Sequence, residues 1–177
     1  TAQNDDVYFQ NREASNKYYE NSIEIVNDYM CKINERYGTS YKPFEYYGSP
    51  DADCIVIAMG SVCETIEETV DYLIASGKNV GVIKVRLYRP FSAKHLIDVI
   101  PNSVKKITVL DRTKESGSIG EPLYLDVLGA LNSKNNIEIL SGRYGLSSKN
   151  TTPEQIVAVF DNMNSVTPKK RFTIGIN

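Results

Sequence analysis

Residue types that could bind or react fall at the ends of apolar runs. Gly60-Ser61, with Glu64 three positions after the serine, closes the run Ile55 to Met59. A glycine lets the backbone bend sharply, and Ser-x-x-Glu is the pattern of a capping box, in which the hydroxyl and the carboxylate each accept a backbone N–H of the first helical turn. The same helix N-terminus could hold an anion. The box would occupy those donors, however, and Glu64 would repel an anion, so the spacing favours a structural cap. Tyr88-Arg-Pro-Phe91 and Arg112 close two further runs. Two guanidiniums there could clamp a carboxylate or phosphate. Equally, Tyr88, Arg89, Phe91 and Arg112 could form one polar–aromatic patch that pairs across a domain interface, where Tyr and Arg are enriched. The second use is preferred, because nothing nearby resembles a phosphate cradle.

Other candidates have plainer readings. Gly117-Ser-Ile-Gly120 precedes a helix but lacks Gly-x-Gly-x-x-Gly, and reads as a connector. His95, the sole histidine, falls in a helix capped by Ser92 with no acid–base partner in view, and is assigned a surface or capping role. Asp111 is expected to cap the loop that follows it. Cys31, Cys54 and Cys63 are odd in number, without Cys-x-x-Cys, and are expected to be ordinary thiols. No residue is therefore predicted to be catalytic, to ligate a metal or to bind a cofactor.

Strands and helices alternate from residue 54 onward. Continuous apolar runs, the mark of strands covered on both faces, predict strands at residues 55–59, 80–87, 106–110, 137–140 and 171–176. Between them, helical spacing appears in Ile66, Val70, Leu73 and Ile74, in Leu96, Ile97 and Ile100, after Glu121-Pro122, and after Thr152-Pro-Glu-Gln155. The expectation is a doubly wound α/β domain: a mainly parallel, five-stranded sheet with helices on both faces. The first 50 residues break the rhythm. Residues 18–37 can form one amphipathic helix with Ile23, Val26, Met30 and Ile33 on a face, flanked by aperiodic aromatic segments. They are read as an arm, helix and linker (residues 1–50) preceding the sheet domain (residues 51–177), with aromatic residues that lie against the sheet or a neighbouring domain.

A chain of 177 residues can bury roughly 70% of its unfolded surface, enough for a core without staples. A net charge of −2 leaves no electrostatic footprint for nucleic acid. The apolar runs are too short to span a bilayer, and residues 1–10 do not form a signal peptide. The cytoplasm is the expected compartment, with neither nucleic acid nor membrane as partner.

Several stretches carry a family resemblance. Thr1-Ala-Gln-Asn, Val7-Tyr-Phe-Gln10, Ala58-Met-Gly-Ser-Val-Cys-Glu-Thr65, Gly81-Val-Ile-Lys-Val-Arg-Leu-Tyr-Arg-Pro-Phe-Ser92 and Leu110-Asp-Arg-Thr-Lys-Glu with Gly120-Glu-Pro-Leu-Tyr-Leu-Asp126 resemble the second domain of pyruvate:ferredoxin (flavodoxin) oxidoreductase. The resemblance spans nearly the whole chain and implies a fold like the transketolase C-terminal domain. It also implies a homodimeric parent enzyme that oxidatively decarboxylates pyruvate on thiamine diphosphate and Mg²⁺. That enzyme passes electrons through [4Fe–4S] clusters to ferredoxin or flavodoxin and hands the acetyl group to coenzyme A. In such an enzyme this segment would be a structural module among other domains of the same polypeptide, inactive alone and binding none of these groups. The start at Thr1 without a methionine fits an excised piece. The alternative is an independent small-ligand or nucleotide-binding domain of flavodoxin-like type, disfavoured by the missing phosphate loop and the absence of Trp.

Overall fold

The computed structural model describes residues 3–133 and 136–176, so Thr1 and Ala2 of the expected arm lie outside the described residues. Five strands form where apolar runs predict them: Cys54–Ala58 (β2), Val80–Val85 (β3), Lys106–Asp111 (β4), Glu138–Arg143 (β5) and Arg171–Thr173 (β6). A sixth, Phe44–Gly48 (β1), lies where a linker was expected. The sheet is six-stranded rather than five-stranded, in the order β1-β3-β2-β4-β5-β6. Strand β1 pairs antiparallel with β3, and the remaining pairings are parallel.

Alternate side chains of the central strands feed two apolar layers. Val56, Val82, Leu110 and Leu140 meet Ile66 and Val70 of α3 (Val62–Ala75) and Phe160 and Met163 of α6 (Pro153–Asn164). On the opposite face Ile57, Ile83, Ile107 and Val109 meet Leu96 of α4 (Ala93–Val99) and Leu123 and Val127 of α5 (Pro122–Ala130). Helices thus cover both faces, as parallel crossovers require. The Ser92 hydroxyl caps α4, accepting the His95 N–H at 3.3 Å. At the start of α6 the Gln155 side chain accepts the Thr152 N–H at 3.4 Å, and Pro153 occupies the first turn.

Strand β1 forms because its aromatic residues have a place to go. Phe44 is buried, and Tyr46 packs on the same layer. Tyr46 lies across Gly81, where a Cβ would come within 2.7 Å of its ring, and its hydroxyl donates to the Ser49 carbonyl. Gly48 pairs with Gly81, and a Cβ on Gly48 would sit 2.5 Å from the Gly81 Cα, so the two glycines permit this close approach.

Ahead of the sheet, α1 (Asp5–Ala14) and α2 (Asn16–Tyr37) form a helical pair. The Asn4 side chain caps α1 by accepting the Val7 N–H at 2.9 Å, so this stretch is helical rather than aperiodic. Left-handed Gly38 closes α2. Neither helix contains a buried residue. None of the helices among the described residues is long and apolar enough to cross a membrane.

Candidate functional site

The sheet order reverses at β2, whose successor β3 lies on one side and β4 on the other. Open α/β sheets place ligands in the crevice at the strand C-termini of that switch point. Gly60 turns the chain there with φ +81. The expected Ser61–Glu64 capping box is absent. Ser61 already has helical backbone angles, φ −63 and ψ −21, and its side chain makes no cap hydrogen bond. A capping hydroxyl needs the extended conformation at the N-cap, and here the first turn is closed by the backbone: Cys63 N–H donates to the Gly60 carbonyl at 3.1 Å. Ser61 instead lines a polar crevice of about 160 Å³ with Thr65, Arg112, Tyr144, Ser148 and Lys149. Arg112 is anchored by its Nε, which donates to the Gly145 carbonyl at 3.1 Å. Tyr144 is buried, and burial pushes its hydroxyl pKa up to about 12.

On the other side of the same turn, Gly60, Ser61, Glu64 and Glu67 face Lys84 and Arg86 across a second cleft. Lys84 lies in the otherwise apolar β3 and reaches Glu45 of β1 at 2.6 Å and Glu67 of α3 at 2.5 Å, while Arg86 reaches Glu45 at 2.6 Å. Burial pushes the Glu45 pKa up, but hydrogen bonds from Lys84 and Arg86 outweigh it and hold the carboxyl below its usual range. Burial likewise opposes the charge on Lys84, and the two carboxylates reverse that, leaving its pKa raised. The cations are therefore neutralised within the fold, and this cleft holds no free anion receptor.

Arg89 and Arg112 do not form a clamp. Strands β3 and β4 flank β2, and each guanidinium turns to a different partner. Arg89 reaches Asp126 of α5 at 2.7 Å and stacks on Tyr88, whose hydroxyl donates to the same carboxylate at 2.9 Å. Phe91 packs edge-on against Phe44 and Tyr88. The loop that carries Arg89, Pro90 and Phe91 opens onto a cleft of about 550 Å³ against Arg12, Ser15 and Tyr19 of the helical pair. So the predicted patch divides: Gly60, Ser61, Glu64 and Arg112 surround the switch point, Arg89 and Phe91 line the cleft against α1 and α2, and Tyr88 turns to Asp126 of α5.

Two buried carboxylates escaped sequence reasoning. Asp111, expected to cap its own loop, instead accepts the N–H groups of Leu123 at 3.0 Å and Tyr124 at 3.1 Å, capping α5 from the end of β4. Burial raises its pKa despite those bonds. Glu121 is fully buried and accepts from Ser141 and from Arg143, each at 3.1 Å, with Arg171 at 3.7 Å. Burial works against its charge, but the bonds from Arg143 and Ser141 win, and its pKa is lowered. Asp111 finds its partners in the first turn of α5 and Glu121 on β5 and β6, so no local motif announces either. His95 pairs with the Ser92 hydroxyl at 2.8 Å. Cys54 and Cys63 are buried, and burial pushes both thiols up to about 11, which keeps them protonated and unreactive. Among the described residues no three His, Cys, Asp or Glu side chains are grouped as metal ligands.

Residues 52–156 match the family described as Pyruvate:ferredoxin oxidoreductase core domain II. The chain belongs to this family. It is 57% identical over 178 aligned residues to the pyruvate-flavodoxin oxidoreductase of Enterobacter agglomerans, covering 100% of this chain and 15% of that protein. It is 54% identical to the pyruvate:ferredoxin oxidoreductase of Moorella thermoacetica, with 99% of this chain and again 15% of the relative covered. The core domain II chain therefore spans about 15% of the length of these curated relatives. A split-gene transketolase shares the fold, with a TM-score of 0.51 at 15% identity over 70% of this chain and 42% of its own.

Proposed function

We propose that this chain is an interdomain module of a pyruvate:ferredoxin (flavodoxin) oxidoreductase, contributing structure rather than reacting groups. The observation that carries the reading is end-to-end identity of 57% with a relative of which this chain makes up 15%. The parent enzyme converts pyruvate and coenzyme A to acetyl-CoA and CO₂, reducing ferredoxin or flavodoxin, in the cytoplasm and as a homodimer. The residues present do not fit that enzyme's cofactors. A [4Fe–4S] cluster takes four thiolates, whereas this chain has three cysteines, two of them buried and protonated. The buried carboxylates Asp111 and Glu121 are committed to backbone N–H groups and to arginine, respectively, which leaves neither for Mg²⁺ or a thiamine ring. Thiamine diphosphate, Mg²⁺, the clusters and coenzyme A belong to other domains of the same polypeptide. What the segment supplies is a rigid sheet whose polar C-terminal rim, from Ser61 to Arg112, packs against them.

The test has two parts. Purified full-length parent protein is assayed with pyruvate, coenzyme A and a viologen acceptor; absence of pyruvate-dependent reduction refutes the family activity. The 177-residue chain alone, given the same mixture plus thiamine diphosphate and Mg²⁺, is expected to reduce nothing. Turnover above a contaminant control overturns the structural role.

A further inference from the structure

Helix α2 carries two apolar stripes, and the fold uses one. Ile23, Val26 and Met30 are half-buried. Tyr18, Ile25, Tyr29, Ile33 and Tyr37 recur at steps of seven and four residues, which at 3.6 residues per turn sets Tyr18, Ile25 and Tyr29 about 90–130° around the helix from the first stripe, with Ile33 and Tyr37 winding back towards it at the C-terminal end. Their exposures are 68%, 55%, 61%, 42% and 69%. Single exposed apolar residues need no explanation, but a continuous row does. Together these side chains present roughly 500–600 Å² of exposed surface, close to one partner's share of a standard protein interface. Ile33, which periodicity alone put on the inward face, belongs to this outward row.

The row is chemically specific. Lys17 lies 5.0 Å from the Tyr18 ring centroid, Lys32 4.7 Å from that of Tyr29, and Arg36 5.7 Å from that of Tyr37. Each tyrosine of the row is thus bordered by a cation. The complementary surface is apolar with an acidic rim. A second copy of α2 does not supply it: a two-fold pairing centred between Ile25 and Tyr29 sets Lys17, Lys32 and Arg36 against Tyr37, Ser22 and Tyr18 of the other copy, none of them acidic. The available occupant follows from length. The relatives align with this chain end to end yet devote only 15% of their length to it, so most of such a polypeptide lies outside this segment.

We infer that the Tyr18–Tyr37 row of α2 is the docking surface for another domain of the same polypeptide, one with an apolar, acid-rimmed face. Helix α2 then lies as a layer between two domains, its Ile23 stripe on this sheet domain and its tyrosine row on the other. The inference rests on the reading of this chain as a segment of the longer oxidoreductase.

The test uses the full-length enzyme with the photo-reactive residue p-benzoylphenylalanine replacing Tyr29 and, separately, Tyr37. Tyr72 of α3, 64% exposed and off the row, is the control position. After irradiation, denaturing electrophoresis separates links within one chain from links between copies, and mass spectrometry maps the partner peptide. Expected are single-chain products from positions 29 and 37 joining the row to polypeptide outside residues 1–177, at several-fold higher yield than from position 72. Lys32→Glu should cut the position 37 yield several-fold and speed hydrogen exchange across α2. Products of doubled mass joining α2 to α2 overturn the inference in favour of a second copy. Yields no higher than the control at both positions overturn it in favour of a solvent-exposed row. Pyruvate-dependent viologen reduction by the unsubstituted enzyme reads the family activity separately: its loss beside the expected cross-links refutes the activity and leaves the docking surface, and the converse result refutes the surface alone.

Discussion

Replacing Glu121 with Gln deletes one buried negative charge while keeping the side-chain volume. In the wild type that charge faces Arg143 at 3.1 Å and the Ser141 hydroxyl at 3.1 Å. Removing one partner of a buried pair costs about 3–5 kcal/mol. Several features pull the value to the low end. The Arg143 side chain is 18% exposed and keeps its bond to Thr173, Gln still offers one acceptor oxygen, and Arg171 at 3.7 Å is 40% exposed and adds little. The expected loss near pH 7 is about 2–3 kcal/mol, which for a domain of this size lowers the melting temperature by roughly 4–12 °C. The pH dependence fixes the cause. A carboxyl whose pKa is lowered on folding contributes stability that is fully present above its unfolded value and is lost as pH falls through the folded value. The gap between wild type and Glu121→Gln, followed by urea unfolding of this chain, should therefore be constant above about pH 5 and shrink as pH falls below the ordinary Glu range. A gap below about 1 kcal/mol at pH 7, or one that widens in acid, would refute the assignment of Glu121 as an ionised, arginine-paired core carboxylate.

Asp111→Asn should show the opposite slope: the Asp111 pKa is raised by burial, so the advantage of Asp over Asn is greatest below pH 4 and declines as pH rises through the folded value. The same urea titration checks it, and a parallel trend for both variants would contradict the distinction. Because Ser61 makes no cap bond whereas the Ser92 hydroxyl accepts the His95 N–H, Ser61→Ala should shift stability by less than about 0.5 kcal/mol and Ser92→Ala should cost about 0.5–2 kcal/mol, measured by thermal melts. Gly48→Ala should cost about 1–3 kcal/mol or more, since its φ of +134 and the 2.5 Å approach to the Gly81 Cα leave no room for a methyl; circular dichroism melts showing no loss would mean that β1 does not pack this closely.

Much of the sheet was legible because β2, β3 and β4 are apolar on both faces, and a run such as Cys54–Ala58, all five buried, has no other stable home. The starts of α4 and α6 were legible for a local reason, the Ser92 cap and the Thr152-Pro153 opening. Strand β1 was not. Five residues with two tyrosines and a glutamate look like linker, yet Phe44 and Tyr46 join one apolar layer while Glu45 and Tyr47 lie on the other face, a period-two signal too short to be recognised among the flanking aromatic residues. Helix α1 carried the signal of Asn4 followed by Asp5 and Asp6, an N-cap with an acidic first turn. Among the candidate site residues, strand-end position was readable and orientation was not: Arg89 and Arg112 do close parallel strands, but Asp126 and the Gly145 carbonyl, which set their directions, are distant in sequence. The pairing of Lys84 with Glu45 and Glu67 is invisible for the same reason, although a lone lysine inside Val80–Val85 hints at a buried carboxylate.

Strand β1 also decides where this protein can be cut. Strand β3 is buried at all six positions, and β1 supplies hydrogen-bond partners along its outer side. A truncation beginning at residue 51 would uncover a bare row of N–H and C=O groups on a valine- and isoleucine-rich strand, the template on which chains add to one another edge to edge. At the far side the sheet ends in the three-residue β6, flanked by exposed Lys169 and Lys170, too short and too charged to recruit another strand. The segment before residue 51 thus acts as a guard against self-association, and fragments that keep it should stay in solution while those that lose it form aggregates.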